Sequence, residues 1–340
     1  MKKLLAILLI VVFVLVSVVG CTGKEAAATP AEPIVLNLAT CVTEDSTLGK
    51  ACTEFKKYVE ERSEGQIIVN ILPNSQYGGD IESTVAVAMG TIQMCPAVTS
   101  VLTPYCDDFM ILDLPFLFIS RDASYAALDG DLGNALNANL GDLGLVNLGY
   151  NDNGLRQITN NARPINVPAD LKGVKMRVME SPVYIRMFEL LGANPVPMSF
   201  SGVFTALQHG TVDGQENGVS LIYDSKFHEV VKYLSLTGHV YSVNANLINK
   251  TFYTGLPADL QKIIADGVKI ELVDYQRELE SSADANYIQK LKDAGMVVNE
   301  ITPENMLKFR EAVATMFNEY KANVNPELFT MVDNANASVK

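Results

Sequence analysis

The spacing of hydrophobic positions changes several times along the chain. Residues 34–39 alternate around Asn37 and read as a first strand. Leu48, Cys52, Phe55 and Val59 then recur at helical spacing, behind Ser46 and Thr47, either of which can cap a first turn. Residues 67–72 are β-rich and stop at Pro73-Asn74-Ser75. Asp80 is placed to cap a short helix that ends at Gly90, and residues 92–98 and 143–150 read as further strands. Residues 174–179 read as a strand and 183–191 as a helix, and Ser201 stands as the cap of a helix ending near His209-Gly210. Residues 211–217 and 240–249 read as extended. From Leu256-Pro257-Ala258-Asp259 a helical pattern runs to Lys292, with Leu260, Ile263, Ile264, Val268, Leu272 and Leu279 as its apolar stripe. A helix of about 30 residues reaches about 45 Å, wider than one domain, so this segment is placed to brace two lobes. Strand and helix alternate throughout, which predicts an α/β fold, and 340 residues allow about two domains.

The N-terminus has a different pattern. Lys2 and Lys3 precede an unbroken apolar run from Leu4 to Val16, too short for a comfortable bilayer span, and together they read as a secretory signal. The run ends in Val18-Val19-Gly20-Cys21, which resembles the lipobox of bacterial lipoproteins. That resemblance implies a signal over residues 1–20, lipid attachment at Cys21, and a tether over 21–33 whose Ala, Thr, Glu and Pro show no periodicity. Export permits disulfides. Cys41, Cys52, Cys95 and Cys106 nevertheless show no paired spacing, and a chain of this size needs no staple, so buried free thiols are expected.

Charge and motif content narrow the function classes. A formal net charge of −13 argues against nucleic acid and against broad adhesion to anionic lipid. It leaves an anionic ligand open, because a ligand responds to the few charges lining its own pocket. The three histidines, His209, His228 and His239, form no metal-ligand motif, and the chain carries no GxSxG, P-loop or GxGxxG. Asp129-Gly130-Asp131 is too short for a calcium loop and reads as a turn. No catalytic residue, metal or cofactor is expected, and an isomerase or lyase reading lacks a nameable base.

The stretch from Asn153 to Ser242 holds the specific motifs. They are Asn153-Gly154-Leu155-Arg156-Gln157, the run from Asp170 to Val178, the run from Leu191 to Phe200, and the run from Ala206 through Asp213-Gly214-Gln215-Glu216-Asn217. With residues 61–67, 113–118 and 256–262, they resemble the DctP-type solute-binding subunit of TRAP transporters over nearly the whole mature chain. The resemblance implies a two-lobed fold like that of periplasmic binding proteins. Each lobe is a mixed sheet flanked by helices, with hinge strands and a long helix bracing both. Lobe I would take residues 34–154 plus about 243–282, and lobe II 155–242 plus about 283–335. It implies that Arg177 grips the ligand carboxylate bidentately, that Arg156 supports it, that the Asn217 amide bonds to it, and that Phe200 floors the pocket. The chain departs from the pattern at Gly202, Cys41 and Val98, where relatives carry other residues. Glu44, Thr99 and Ser100 stand nearby as substitutes. The implied ligand is a small organic acid, a C4-dicarboxylate or a sugar acid such as a uronate. The implied partner is a TRAP permease, and the implied place is extracytoplasmic, held to the membrane only by the lipid. The same fold presenting ligand to a receptor kinase is the alternative.

Overall fold

A computed structural model describes residues 32–339, so the signal region and Cys21 lie outside the described residues. The strands are β1 (Ile34–Ala39), β2 (Ile67–Leu72), β3 (Met94–Val98), β4 (Leu145–Leu155), β5 (Gln157–Asn160), β6 (Lys175–Val178), β7 (Asn194–Pro197), β8 (Gly214–Asn217), β9 (Tyr233–Leu236), β10 (Tyr241–Asn249) and β11 (Val297–Glu300). They form two mixed sheets, ordered β2-β1-β3-β10-β4 and β11-β9-β5-β8-β6-β7. In the first, β1 runs parallel to β2 and β3, while β10 is antiparallel to β3 and β4. In the second, β5 is antiparallel to β8 and β9, and β6 is parallel to β7 and β8. The chain passes between the sheets where β4 ends and β5 begins, with Arg156 between them, and again between β9 and β10. Every residue of β10 is buried, as a central strand covered on both faces requires.

Ser46 caps the helix Thr47–Arg62 by accepting from the Gly49 N–H at 3.0 Å. Leu48, Cys52, Phe55 and Val59 all face the core, at no more than 6% exposure. They pack with Leu260, Ile264, Val268 and Leu272 of the predicted stripe, whose Ile263 is part-buried against the same cluster and whose Leu279 lies outside it. That stripe belongs to a continuous helical segment made of Ala258–Gly267, a π-helical stretch Val268–Tyr275, and Gln276–Asp293. The segment reaches both sheets. Gln276 exchanges hydrogen bonds with the Asp152 backbone, and Arg277 donates to Asp129 and to the Tyr150 carbonyl. Farther along, Tyr287 donates to Asp224 at 3.1 Å, on the helix Val219–Asp224 beside the second sheet. At the seam between β4 and that helix, Gly154 has φ +85°, and a Cβ there would lie 3.0 Å from Gly218 Cα and 3.3 Å from Glu280 Oε1.

Several expectations need correction. The cap of helix Asp80–Ala88 is Gly79, whose N–H donates to Glu82 Oε2 at 2.8 Å, so Asp80 is the first helical residue rather than the cap. Ser201 caps nothing. A 3-10 turn, Phe200–Gly202, comes first and makes Gly202 the boundary of helix Val203–Gln208. The thiols are free, but only Cys52 and Cys95 are buried, whereas Cys41 and Cys106 are part-buried. The last helix, Pro326–Ser338, packs on helices Arg121–Leu128 and Asp131–Ala138. Its Asn336 bonds to the Leu117 carbonyl and the Ile119 N–H, at 3.0 and 3.1 Å. Asp129-Gly130-Asp131 is the turn between those two helices. Among the described residues, no helix is long and apolar enough to cross a membrane.

Candidate functional site

The two sheets enclose a cavity of about 60 Å³, several times the space one water needs. The first sheet and its connections contribute Thr40, Cys41, Asp80, Ser100 and Asn244. The second contributes Arg177, Phe200 and Asn217, and the crossing contributes Asn153 and Arg156. Arg156, Arg177, Asn217 and Phe200, the four residues that the resemblance implies, all line this space. Of the substitutes suggested for the first lobe, Ser100 lines it, while Glu44 and Thr99 do not.

The two arginines are held differently. Arg156 is fully buried and lies 5.5 Å from the Tyr184 ring centroid. Its Nε donates to Glu216 Oε2, and its Nη2 donates to Glu216 Oε1 at 2.8 Å and to the Glu216 carbonyl at 2.6 Å. Its Nη1 is buried without a hydrogen-bond partner among the described residues. Glu216 also lies 3.1 Å from His239 Nε2, whose Nδ1 is 2.8 Å from Thr237 Oγ1. Burial alone would raise the Glu216 carboxyl, but the Arg156 guanidinium outweighs it and holds the group at about 2. The pair is therefore ionised and internally neutral.

Arg177 sits on β6 and is 3% exposed. Its Nε and Nη2 both donate to the Met198 carbonyl, at 2.8 and 2.6 Å. That contact takes two of the five guanidinium N–H bonds and leaves the terminal fork of Nη1 and Nη2. No carboxylate forms an ion pair with it among the described residues. Burial lowers it to about 10, with Glu216 opposing that shift and Arg156 adding to it. A buried cation without a paired anion is unfavourable unless an anion arrives.

Asn217, on β8, is 2% exposed, and its Nδ2 donates to Gln215 Oε1 at 2.6 Å. Phe200 is part-buried on its 3-10 turn and meets Phe227 edge-on at 5.8 Å. Two groups escaped the sequence reading. Glu216 lay inside a quoted motif, but its partner is 60 residues away. Asp80 was read as a cap, yet it lines the cavity and accepts from the Cys41 thiol at 3.5 Å. Burial pushes Asp80 up to about 6, against the pull of Cys41 and Arg177.

A polar cavity holding buried guanidinium groups, set between two α/β sheets that crossing strands and one long helix join, defines a two-lobed solute-binding protein. Residues 38–323 match the family described as bacterial extracellular solute-binding protein, family 7 (DctP), and the chain belongs to that family. The structure resembles that of the sugar acid binding protein DctPAm from Advenella mimigardefordensis strain DPN7T in complex with galactonate. The TM-score is 0.88 with 33% identity, over 91% of this chain and 99% of the other. The sequence is 36% identical over 263 residues to the 2,3-diketo-L-gulonate-binding periplasmic protein YiaO of Escherichia coli strain K12, covering 77% of this chain and 79% of that one. It is 32% identical over 329 residues to the C4-dicarboxylate-binding periplasmic protein DctP of Rhodobacter capsulatus, covering 95% and 98%.

Proposed function

We propose that the protein is an extracytoplasmic receptor that captures a small organic acid by its carboxylate and hands it to a TRAP-type permease. The carrying observation is the Arg177 guanidinium, buried on the cavity wall with its terminal fork unpaired by any carboxylate among the described residues. A planar fork matches two carboxylate oxygens, and exclusion of water strengthens the pair. Arg156 has a narrower part. Glu216 occupies most of its donors, so Nη1 alone is left to support the same anion. The Asn217 amide adds a neutral contact, and Phe200 closes one side. The names of the relatives support an acidic ligand, since they bind galactonate, diketogulonate and C4-dicarboxylates. In this reading the lobes divide at about residues 154, 242 and 282, and the two bodies close on a ligand held between the sheets. Cys21 carries the lipid that keeps the receptor at the membrane.

Titration calorimetry with a panel of organic acids tests this reading. Arg177→Ala is expected to weaken binding by at least about 100-fold, the scale for truncating one side of a buried charge pair, with the unfolding transition retained. Arg177→Lys is expected not to rescue it, because a point charge lacks the fork. An affinity unchanged in Arg177→Ala would overturn the proposal.

A further inference from the structure

Besides the two arginines, the cavity is lined by two acids, Asp80 from the first sheet's side and Glu180 from the second. The charged side chains lining the cavity are Arg156, Arg177, Asp80 and Glu180. Glu216 already neutralises Arg156, so a single cation remains for an incoming anion. Asp80 stands in the first turn of its helix, and Glu180 follows the end of β6. Among the described residues, no lysine or further arginine lines the cavity. A second carboxylate on the ligand would find no second free cation among these lining residues and would share the cavity with Asp80 and Glu180. Hydroxyl groups would meet the carboxylate of Asp80, the hydroxyls of Thr40 and Ser100, and the amides of Asn153 and Asn244. These groups accept or exchange hydrogen bonds without demanding charge.

We propose that the site takes a polyhydroxylated monocarboxylate of the aldonate type in preference to a dicarboxylate, with Asp80 as the specificity-determining residue. The inference rests on the carboxylate-receptor reading and extends it to the other end of the ligand. Asp80 acts in both directions. It accepts from ligand hydroxyls, and it repels a second anion, so rejection is built in by charge rather than by shape. The other titratable groups around it are Cys41 after β1, Cys95 on β3, Glu82 on its own helix, and Arg177 and Glu180 from the second sheet. None of the five except Arg177 supplies positive charge. With its carboxyl near 6, Asp80 is ionised at pH 8.

Calorimetry at pH 8 with erythronate, galactonate and gluconate against succinate and malate tests the inference. The wild-type protein is expected to bind its best aldonate at least about 100-fold tighter than either dicarboxylate, and not to bind neutral galactitol. Asp80→Asn is expected to raise dicarboxylate affinity by about tenfold or more, because the amide keeps hydrogen bonding and removes the repulsion. A dicarboxylate that binds as tightly as the best aldonate overturns the inference and leaves the receptor reading intact. An Asp80→Asn protein with an unchanged preference overturns the role of Asp80. A panel in which no acid binds through Arg177 overturns the receptor reading, and the inference with it. Should Asp80→Asn not fold, the wild-type ranking decides alone.

Discussion

Arg156 and Arg177 are the same residue type in the same cavity, and what already holds each one sets its part. Arg156 is tied to Glu216, and Arg177 is tied to a carbonyl that cannot neutralise it. Removing Glu216 would strand a fully buried cation. Glu216→Ala is expected to cost about 3–5 kcal/mol in urea unfolding at pH 7, a loss an exposed ion pair would not produce. The sign with pH follows from the depressed carboxyl. Its contribution is complete above the unfolded value of about 4.3 and is lost only as pH falls toward about 2, so the penalty should be the same at pH 5 and pH 7. At this scale the sequence was uneven. Arg177 was legible through a motif that fixes its strand and its place on it. Glu216 was not, because the interaction that defines it joins β8 to a residue between β4 and β5, and no local spacing announces such a contact. Asp80 was misassigned because a capping residue and a first-turn residue differ by one position, and that position decides where the carboxyl points.

At the scale of elements, the helix Gln276–Asp293 carries a buried acid between two others. Glu280 is 2% exposed and accepts from Thr47 Oγ1 at 2.6 Å and from Ser220 Oγ, on helices belonging to different sheets. Burial raises it to about 7, with Asp152 adding to the shift and the Ser220 and Thr47 hydroxyls opposing it. The folded state therefore favours the protonated form. That stability is fully present below about 4.3 and is lost as pH rises through about 7. Glu280→Gln is expected to stabilise the protein by about 1–3 kcal/mol at pH 8, with a much smaller gain at pH 5, measured by denaturant midpoints at both. Long elements were readable because a stripe such as Leu48, Cys52, Phe55 and Val59 repeats often enough to define a face. The four-residue strands β5, β7, β9 and β11 were not read. β7 is Asn-Pro-Val-Pro, and two prolines argue against a strand until it is seen at the edge of its sheet, where missing donors do no harm.

At the scale of the whole molecule, two sheets meet across the cavity, with crossing strands and one long helix between them. An acid that touches both sheets can favour closure only through contacts that improve as the gap narrows. Small-angle scattering is expected to show a smaller radius of gyration on adding a saturating acid that binds. The same acid should leave the Arg177→Ala protein unchanged. The two-sheet architecture was foreseen from motif order, whereas the docking of helix Pro326–Ser338 was not, since an amphipathic helix does not state which neighbour it covers. The seam at Gly154 and Gly218 imposes a tolerance on all of this. Two bare α-carbons meet there with little clearance for a methyl group, so an alanine at Gly218 would act as a doorstop, 3.0 Å from the Asn153 carbonyl oxygen and 3.2 Å from Gly154 Cα, unless those neighbours give way slightly. A receptor wedged ajar at that point would keep every polar group it needs and still fail to latch.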